Sequence, residues 1–120
     1  MPVYNESGSI NNVIEEIFLT MKSYENNFEL IVVNDGSTDK TIYKIELLKK
    51  IYKIKLINNN FNKGQSFSIF QGVKVSKYNT IITLDGDGQN DPNDVEKLLN
   101  IYTANQYGLV GGIRKKRKDN

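Results

Sequence analysis

Residues 29–41 read ELIVVNDGSTDKT, a short apolar segment followed directly by an acidic turn that contains a glycine. The segment 29–33 is rich in β-branched residues and lacks polar alternation, which is typical of a strand buried on both faces of a parallel sheet. The turn offers Ser37 or Thr38 as the N-cap of a following helix. Strand, turn and helix in this order form the first half of a β–α–β unit.

The same alternation continues along the chain. Further strands are predicted at residues 54–58, 80–84 and 108–113. Helical spacing predicts a helix over residues 7–24, a helix after the turn at 34–39, a helix over 65–77 and a helix that begins at Pro92. The expected inward positions of the last three helices are Ile42, Ile45, Leu48 and Ile51, then Phe67, Phe70 and Val73, then Val95, Leu98, Leu99 and Tyr102. Short connections between alternating elements predict an α/β domain, a Rossmann-like and mainly parallel sheet with helices on both faces.

The composition excludes several classes of chemistry. The 120 residues include no cysteine and no histidine, so disulfides, thiolate or imidazole metal sites and histidine-based nucleophiles are excluded. A bound metal would therefore need oxygen ligands, which suit Mg²⁺, Mn²⁺ or Ca²⁺. The length predicts a single domain, and no apolar run approaches the ~20 residues that span a bilayer. We expect a cytoplasmic protein.

Charge is distributed unevenly between the body and the end of the chain. The net charge is +2, but residues 114–120, RKKRKDN, hold five basic and one acidic side chain, which leaves 11 basic and 13 acidic residues elsewhere. A weakly acidic body with a basic tip does not resemble a nucleic-acid-binding protein. The tip alone is compatible with a solvated end or with a surface that meets phosphates.

A second acidic turn, DGDGQNDPNDVE at residues 85–96, has three interpretations. It could be an ordinary surface turn, since Asp and Gly are common there. Its spacing also matches a calcium loop, but Asn90 stands where that loop requires glycine, and a strand rather than a helix precedes it. The calcium loop is therefore rejected. The third interpretation is a divalent metal that clamps a diphosphate, with oxygen ligands from Asp85, Asp87 and Gln89.

Five segments, in this order and spacing, resemble family 2 glycosyltransferases. They are PVYNES, VVNDGSTDKT, NKGQSFSIFQGV, LDGDGQNDP and GGIRKKRKD, and together they cover nearly the whole chain. The branch that the chain resembles most is the dolichol- and undecaprenyl-phosphate sugar transferases. The resemblance implies a GT-A fold, with residues 1–120 as the nucleotide-sugar-binding part, and a UDP- or GDP-linked sugar as donor.

The resemblance also implies roles for particular residues. The nucleotide pocket would be formed by Pro2, Tyr4, Glu6, Asp35, Gly64 and Asp85, and Mg²⁺ or Mn²⁺ would be held by Asp85, Asp87 and Gln89. Asp35 would face the base or ribose, because a carboxylate accepts from ring N–H and sugar O–H groups. Asp35 could instead serve only the dipole of the next helix, and Tyr4 could be a core aromatic. Lys63 is expected to be solvated.

The remaining implications concern the acceptor. Arg114 and Arg117 match basic residues that contact the acceptor phosphate or the leaving diphosphate, and a guanidinium can donate two parallel hydrogen bonds to phosphate. A polyprenyl phosphate is already an anion and needs no general base. For a hydroxyl acceptor, the family's usual base lies beyond residue 120. We therefore expect an inverting transfer to polyprenyl phosphate at the cytoplasmic face of a membrane.

The chain departs from the family at both ends. The family's first strand runs several apolar residues before PVYNE, whereas this sequence begins MPVYNE. Its absence is expected to expose the edges of both neighbouring strands. The family's acceptor half is also not part of the sequence. The alternative expectation is therefore a catalytically incomplete module that binds nucleotide sugars and needs a partner chain or a second copy, and a hydroxyl acceptor stays open too.

Overall fold

The computed structural model describes residues 1–24, 26–88, 91, 94, 95, 97 and 99. Its centre is a parallel sheet in the order β1-β2-β3, formed by Pro2–Val3, Leu30–Asp35 and Ile54–Asn59. The helices are α1 (Ile10–Thr20), α2 (Thr41–Leu48) and α3 (Gln65–Val75), and a 3₁₀ turn, Lys22–Tyr24, follows α1. A parallel sheet covered by helices confirms the predicted α/β class.

The register brings the carboxyl ends of the strands to one edge of the sheet. Val3 pairs with Asn34 across β1 and β2, and Asp35 pairs with Asn59 across β2 and β3. The chain leaves each strand at this edge, into the loop before α1, the NDGSTD turn or the loop before α3. Ligands of open parallel sheets bind at such an edge.

The helices lie on both faces of the sheet, as predicted. Because side chains alternate along a strand, Leu30 and Val32 point to one face and Ile31 and Val33 to the other. The first face carries the hydrophobic core, to which α1 and α2 contribute Ile10, Val13, Ile14, Ile17, Ile45 and Leu48. The second face is covered by α3.

Helix α3 packs through small residues, and here the sequence prediction of its inner face is wrong. Phe67, Phe70 and Val73 are 43%, 57% and 43% exposed, whereas Ser68 is fully buried. A Cβ atom added at Gly72 would lie 3.6 Å from the Val33 side chain. The backbone of α3 therefore lies too close to β2 for large residues between them, so the large ones turn outward.

Two further expectations around α2 are corrected. Ser37 and Thr38 do not cap this helix. The carboxylate of Asp39 accepts the Thr41 N–H at 2.9 Å instead. Ile51 is 72% exposed because α2 ends at Leu48, before the next inward position.

Residues 80–84, predicted as a strand, have no partner strand and no strand assignment within the described part of the chain. Further on, Val95 is buried and Leu99 packs against the core, as expected. Other predictions lie outside the described residues, namely those for Gln89, Pro92, Leu98, Tyr102, strand 108–113, Arg114 and Arg117. Among the helices that the structure describes, none combines the length and apolarity needed to cross a bilayer.

Gly36 permits the close crossing between the end of β2 and the loop after β3. Its φ is +79°, and an added Cβ would lie 2.5 Å from the carbonyl carbon of Phe61. Gly36→Ala should therefore lower the free energy of unfolding by about 3 kcal/mol, because the clash is with backbone and cannot relax through a rotamer. Urea denaturation measures the loss.

The matched control is Gly8→Ala, since nothing lies within 4 Å of a Cβ at Gly8. That variant should stay within about 0.5 kcal/mol of the parent. Equal stability of the two variants would contradict the close crossing.

Candidate functional site

A pocket of about 280 Å³ opens at the carboxyl edge of the sheet. It brings together six residues that the sequence singled out, from three separate segments: Pro2, Tyr4, Glu6, Asp35, Asp85 and Asp87. Val3 and Gly86 also line it, and so do Asn62 and Gln65, which sequence reasoning missed. Tyr4 is 44% exposed at the pocket, so it is not a core aromatic.

The carboxylate of Asp35 is buried behind this pocket and ties three segments together. Its Oδ1 accepts from the Lys63 N–H at 2.8 Å and from Asn59 Nδ2 at 3.1 Å, and its Oδ2 accepts from the Gly64 N–H at 2.9 Å. Burial alone raises the pKa of Asp35, but these hydrogen bonds outweigh it and hold the pKa below its ordinary value. Asp35 is therefore an anion that shapes the loop before α3.

A pair of amides supports Asp35 from behind. Asn59 and Gln71 exchange two hydrogen bonds, at 2.8 Å and 2.9 Å, while Asn59 also donates to Asp35. Because both amides are fixed by each other, the Asn59 donor is held in the orientation that the carboxylate requires. The loop itself turns at Gly64, whose φ is +102°.

Three carboxylates face the pocket from two sides. Glu6 follows β1, and Asp85 and Asp87 come from the acidic turn, where Asp85 Oδ1 accepts from Gln65 Nε2 at 2.9 Å. Burial, followed by the charge of Asp87, raises the pKa of Glu6, with smaller contributions from Asp85 and Asp39 and an opposing backbone hydrogen bond from Tyr4. The pocket is therefore electronegative and suits a cation or hydrogen-bond donors. Among the described residues, no three acidic side chains gather closely enough to hold a metal by themselves.

The family profile of Glycosyl transferase family 2 matches residues 1–120. The chain belongs to this family. The family 2 match covers all the elements that form the pocket, and it confirms the resemblance seen in the sequence.

Curated relatives of this family 2 chain act on lipid phosphates, according to their names. The chain is 32% identical to the dodecaprenyl-phosphate galacturonate synthase of Rhizobium johnstonii, over 99% of its own length and 36% of that protein. It is 36% identical to the undecaprenyl-phosphate 4-deoxy-4-formamido-L-arabinose transferase of Proteus mirabilis, over 99% of its own length and 37% of that protein. The chain thus spans little more than a third of these relatives.

Solved structures show the same fold. S. aureus TarS 1–349 in complex with UDP superimposes with a TM-score of 0.73 at 19% identity, over 88% of this chain and 31% of that one. The longer S. aureus TarS structure gives a TM-score of 0.62 at 20% identity, over 85% of this chain and 19% of that one. This likeness confirms the GT-A class of the family 2 domain.

The first loop of the family 2 domain, residues 4–9 between β1 and α1, is hydrogen-bonded to the NDGSTD turn. Asn5 has a positive φ of 53°, donates its N–H to Ser37 Oγ at 2.9 Å and accepts the Thr38 N–H at 2.8 Å. The buried Thr41 hydroxyl accepts the Glu6 N–H at 2.9 Å. Asn5 and Thr41 thereby position Tyr4 and Glu6. Sequence reasoning assigned no role to either residue, although Asn tolerates this backbone conformation better than most residues.

Replacing Asp35 by Asn should remove the anion and set an amide N–H₂ against a backbone N–H. We expect Asp35→Asn to lower the free energy of unfolding by about 2 kcal/mol at pH 7. Because the folded-state pKa of Asp35 is depressed, its contribution is present above the unfolded pKa of about 3.9 and is lost as the pH falls through the folded value. Urea denaturation at pH 7 and pH 3 measures the free energy of unfolding of the parent and of Asp35→Asn. The difference between the two proteins should be smaller at pH 3 than at pH 7.

Glu15→Gln serves as the control, since Glu15 is exposed on α1. It should change stability by less than about 0.5 kcal/mol at pH 7. A difference for Asp35→Asn that is independent of pH would contradict the anionic role.

Proposed function

We propose that this chain is the donor-binding part of a metal-dependent, inverting glycosyltransferase that moves a sugar from a UDP- or GDP-linked donor to a polyprenyl phosphate. The observation that carries the proposal is the pocket that gathers Asp35, Asp85 and Asp87 at the carboxyl edge of a family 2 sheet. The acceptor class follows from the names of the relatives, which are lipid-phosphate sugar transferases.

The nucleotide would lie along the first loop and the loop before α3. Asp35 lies behind this part of the pocket and holds the loop through the N–H groups of Lys63 and Gly64. We propose that its carboxylate also faces a ribose hydroxyl or a base N–H. Tyr4 presents an exposed ring at the pocket, and Asn62 and Gln65 add polar side chains that suit a base or a sugar.

The acidic turn suits a divalent cation whose coordination is completed by phosphate oxygens. Asp85 and Asp87 line the pocket. Their charges add to the effect of burial in raising the pKa of Glu6, so the three carboxylates lie close enough to interact. Carboxylate oxygens are the ligands that Mg²⁺ and Mn²⁺ prefer. Such an ion, when bound, neutralises charge that develops on the departing diphosphate. Gln89 is proposed as a further oxygen ligand.

The acceptor phosphate supplies its own negative charge for attack on the anomeric carbon. No general base is needed in that case. Arg114 and Arg117 are proposed to orient the acceptor phosphate or the leaving diphosphate through paired hydrogen bonds. Transfer would then depend on positioning and charge neutralisation, at the cytoplasmic face of a membrane.

Thermal melting tests the donor site. UDP or GDP at a hundredfold excess over its dissociation constant should stabilise the fold by about 2.7 kcal/mol, and only when Mn²⁺ is also present. Asp87→Asn should abolish this stabilisation because it removes a carboxylate from the acidic turn. Glu46→Gln, on the exposed surface of α2, should retain it.

An assay of sugar transfer distinguishes the complete enzyme from the incomplete module. Transfer from a nucleotide sugar to polyprenyl phosphate, lost in Asp87→Asn, supports the complete enzyme. Metal-dependent nucleotide binding without turnover favours the incomplete module that needs a partner. A cooperative melt that no combination of nucleotide and metal moves would contradict both.

A further inference from the structure

The acidic turn receives hydrogen bonds from two other segments that border the pocket. The Ser9 hydroxyl, at the end of the first loop, donates to the Gly86 carbonyl at 2.8 Å. The Gln65 amide, at the start of α3, donates to Asp85 Oδ1 at 2.9 Å. These contacts join residues 77 and 20 positions apart in the sequence, so they depend on the folded arrangement of the pocket and not on the local conformation of the turn.

Ser9 occupies the N-cap of α1, but its hydroxyl does not cap the helix. A serine at this position usually accepts a hydrogen bond from an N–H of the first helical turn. The described residues of α1 form no such bond with Ser9. The hydroxyl donates to Gly86 instead, and a longer contact of 3.5 Å joins it to the Glu6 carbonyl. The side chain of Ser9 therefore joins two loops across the fold.

The position of Ser9 is itself fixed by the first loop. The Glu6 carbonyl accepts the Ser9 N–H at 3.0 Å and the Ile10 N–H at 2.9 Å. The Glu6 N–H in turn donates to the Thr41 hydroxyl at 2.9 Å. Ser9 thus fastens the acidic turn to the same loop that brings Tyr4 and Glu6 to the pocket.

The carbonyl that Ser9 engages belongs to the residue between the two carboxylates of the turn. Gly86 is buried, and a Cβ there would lie 2.5 Å from Val3 Cγ1, so only glycine lets the turn approach β1 this closely. At Gly88, an added Cβ would lie 3.9 Å from Ser9 Cβ. The backbone on both sides of Asp87 therefore packs against β1 and the start of α1.

Gln65 is positioned by the loop that Asp35 holds. It follows Gly64, whose N–H donates to Asp35 Oδ2 at 2.9 Å. The Gly64 carbonyl accepts both the N–H and the hydroxyl of the fully buried Ser68, at 3.1 Å and 3.0 Å. The backbone at the first residue of α3 is therefore fixed, and the Gln65 side chain reaches from it to Asp85.

Fixed positions matter for this turn because its two carboxylates repel each other. A divalent cation binds more tightly to ligands that are already ordered, since less conformational freedom is lost on binding. Carboxylates that bind metals are themselves hydrogen-bonded by neighbouring groups, and the loss of such a group typically weakens metal binding by roughly 10- to 100-fold. Ser9 and Gln65 supply hydrogen bonds of this kind, one to the backbone of the turn and one to a carboxylate oxygen.

We propose that Ser9 and Gln65 are positioning residues for the divalent cation, and that together they order Asp85 and Asp87 before the metal and the diphosphate bind. The two residues act through the acidic turn and need not contact the cation. This role rests on the proposed function, which assigns the cation to the same pocket.

The test is the affinity of the full chain for Mn²⁺ at saturating UDP or GDP, whichever nucleotide the parent binds. The electron paramagnetic resonance signal of free Mn²⁺ measures it, after subtraction of the Mn²⁺ that the nucleotide binds alone. Ser9→Ala removes the hydroxyl, and Gln65→Met keeps the length of the side chain but removes the amide. Each should raise the dissociation constant of Mn²⁺ about tenfold. Thermal melting without ligand checks that each variant is folded at the temperature of the titration.

Two control variants separate positioning from stability. Ser76→Ala removes a hydroxyl that donates to the Tyr78 carbonyl at 3.0 Å, a bond of the same kind outside the pocket, and should leave the Mn²⁺ affinity unchanged. Ser9→Thr keeps the hydroxyl and should bind Mn²⁺ within about twofold of the parent. If Ser9→Ala does not fold, Gln65→Met decides, because Gln65 is exposed.

Four results would overturn the proposal. Unchanged Mn²⁺ affinity in both Ser9→Ala and Gln65→Met would do so and would leave the proposed function intact, as would an effect confined to one of the two. An equal loss in Ser76→Ala would trace the effect to general destabilisation. An equal loss in Ser9→Thr would show that the hydroxyl is not its cause. A parent that binds neither nucleotide with Mn²⁺ would instead overturn the proposed function and the positioning role together.

Discussion

The buried carboxylate of Asp35 is the constraint on which the site depends. Asp35 ends the central strand, pairs in register with Asn59 of β3 and accepts two N–H groups from the loop before α3. A buried carboxylate is costly unless it is hydrogen-bonded, so the loop must return to this point whenever the domain is folded. One residue thereby fixes the relative positions of β2, β3 and α3, and with them one wall of the pocket.

The other walls of the pocket are positioned by local hydrogen bonds and packing contacts. Asn5 and Thr41 fasten the first loop to the NDGSTD turn, and Gly86 is packed against Val3, which brings the acidic turn to the end of β1. Carboxylates from both sides then face the same space, and burial together with the charges of Asp87 and Asp85 raises the pKa of Glu6. A site that concentrates negative charge in this way is suited to a ligand that arrives with a cation. This supports a metal-bound diphosphate better than a neutral ligand.

The sequence was sufficient for the elements whose patterns are local. The β-branched run predicted β2 up to Val33, two residues short of its end at Asp35, and helical spacing predicted α1, because both elements depend on burying their own apolar residues. The inner face of α3 was predicted wrongly because its packing against β2 is decided by Ser68 and Gly72, small residues that carry little hydrophobic signal. Residues 80–84 have the composition of a strand, but a strand also needs a partner, which no local pattern can supply. Similarly, the motifs predicted roles for six pocket residues, while Asn62 and Gln65, which lie in NKGQSFSIFQGV without a predicted role, reach the pocket through the loop geometry that Asp35 imposes.

Amide chemical-shift mapping of the ¹⁵N-labelled chain with UDP and Mg²⁺ locates the nucleotide site, because it reports position as well as binding. We expect the shifts to concentrate at Val3, Glu6, Gly64 and Gly86, and we expect Mn²⁺ in place of Mg²⁺ to broaden the resonances of Gly86 and Asp87. Resonances of residues outside the pocket, such as those of Gly72 and Ile82, should stay in place. Shifts that avoid the residues of the pocket would contradict the assignment of the carboxyl edge as the nucleotide site.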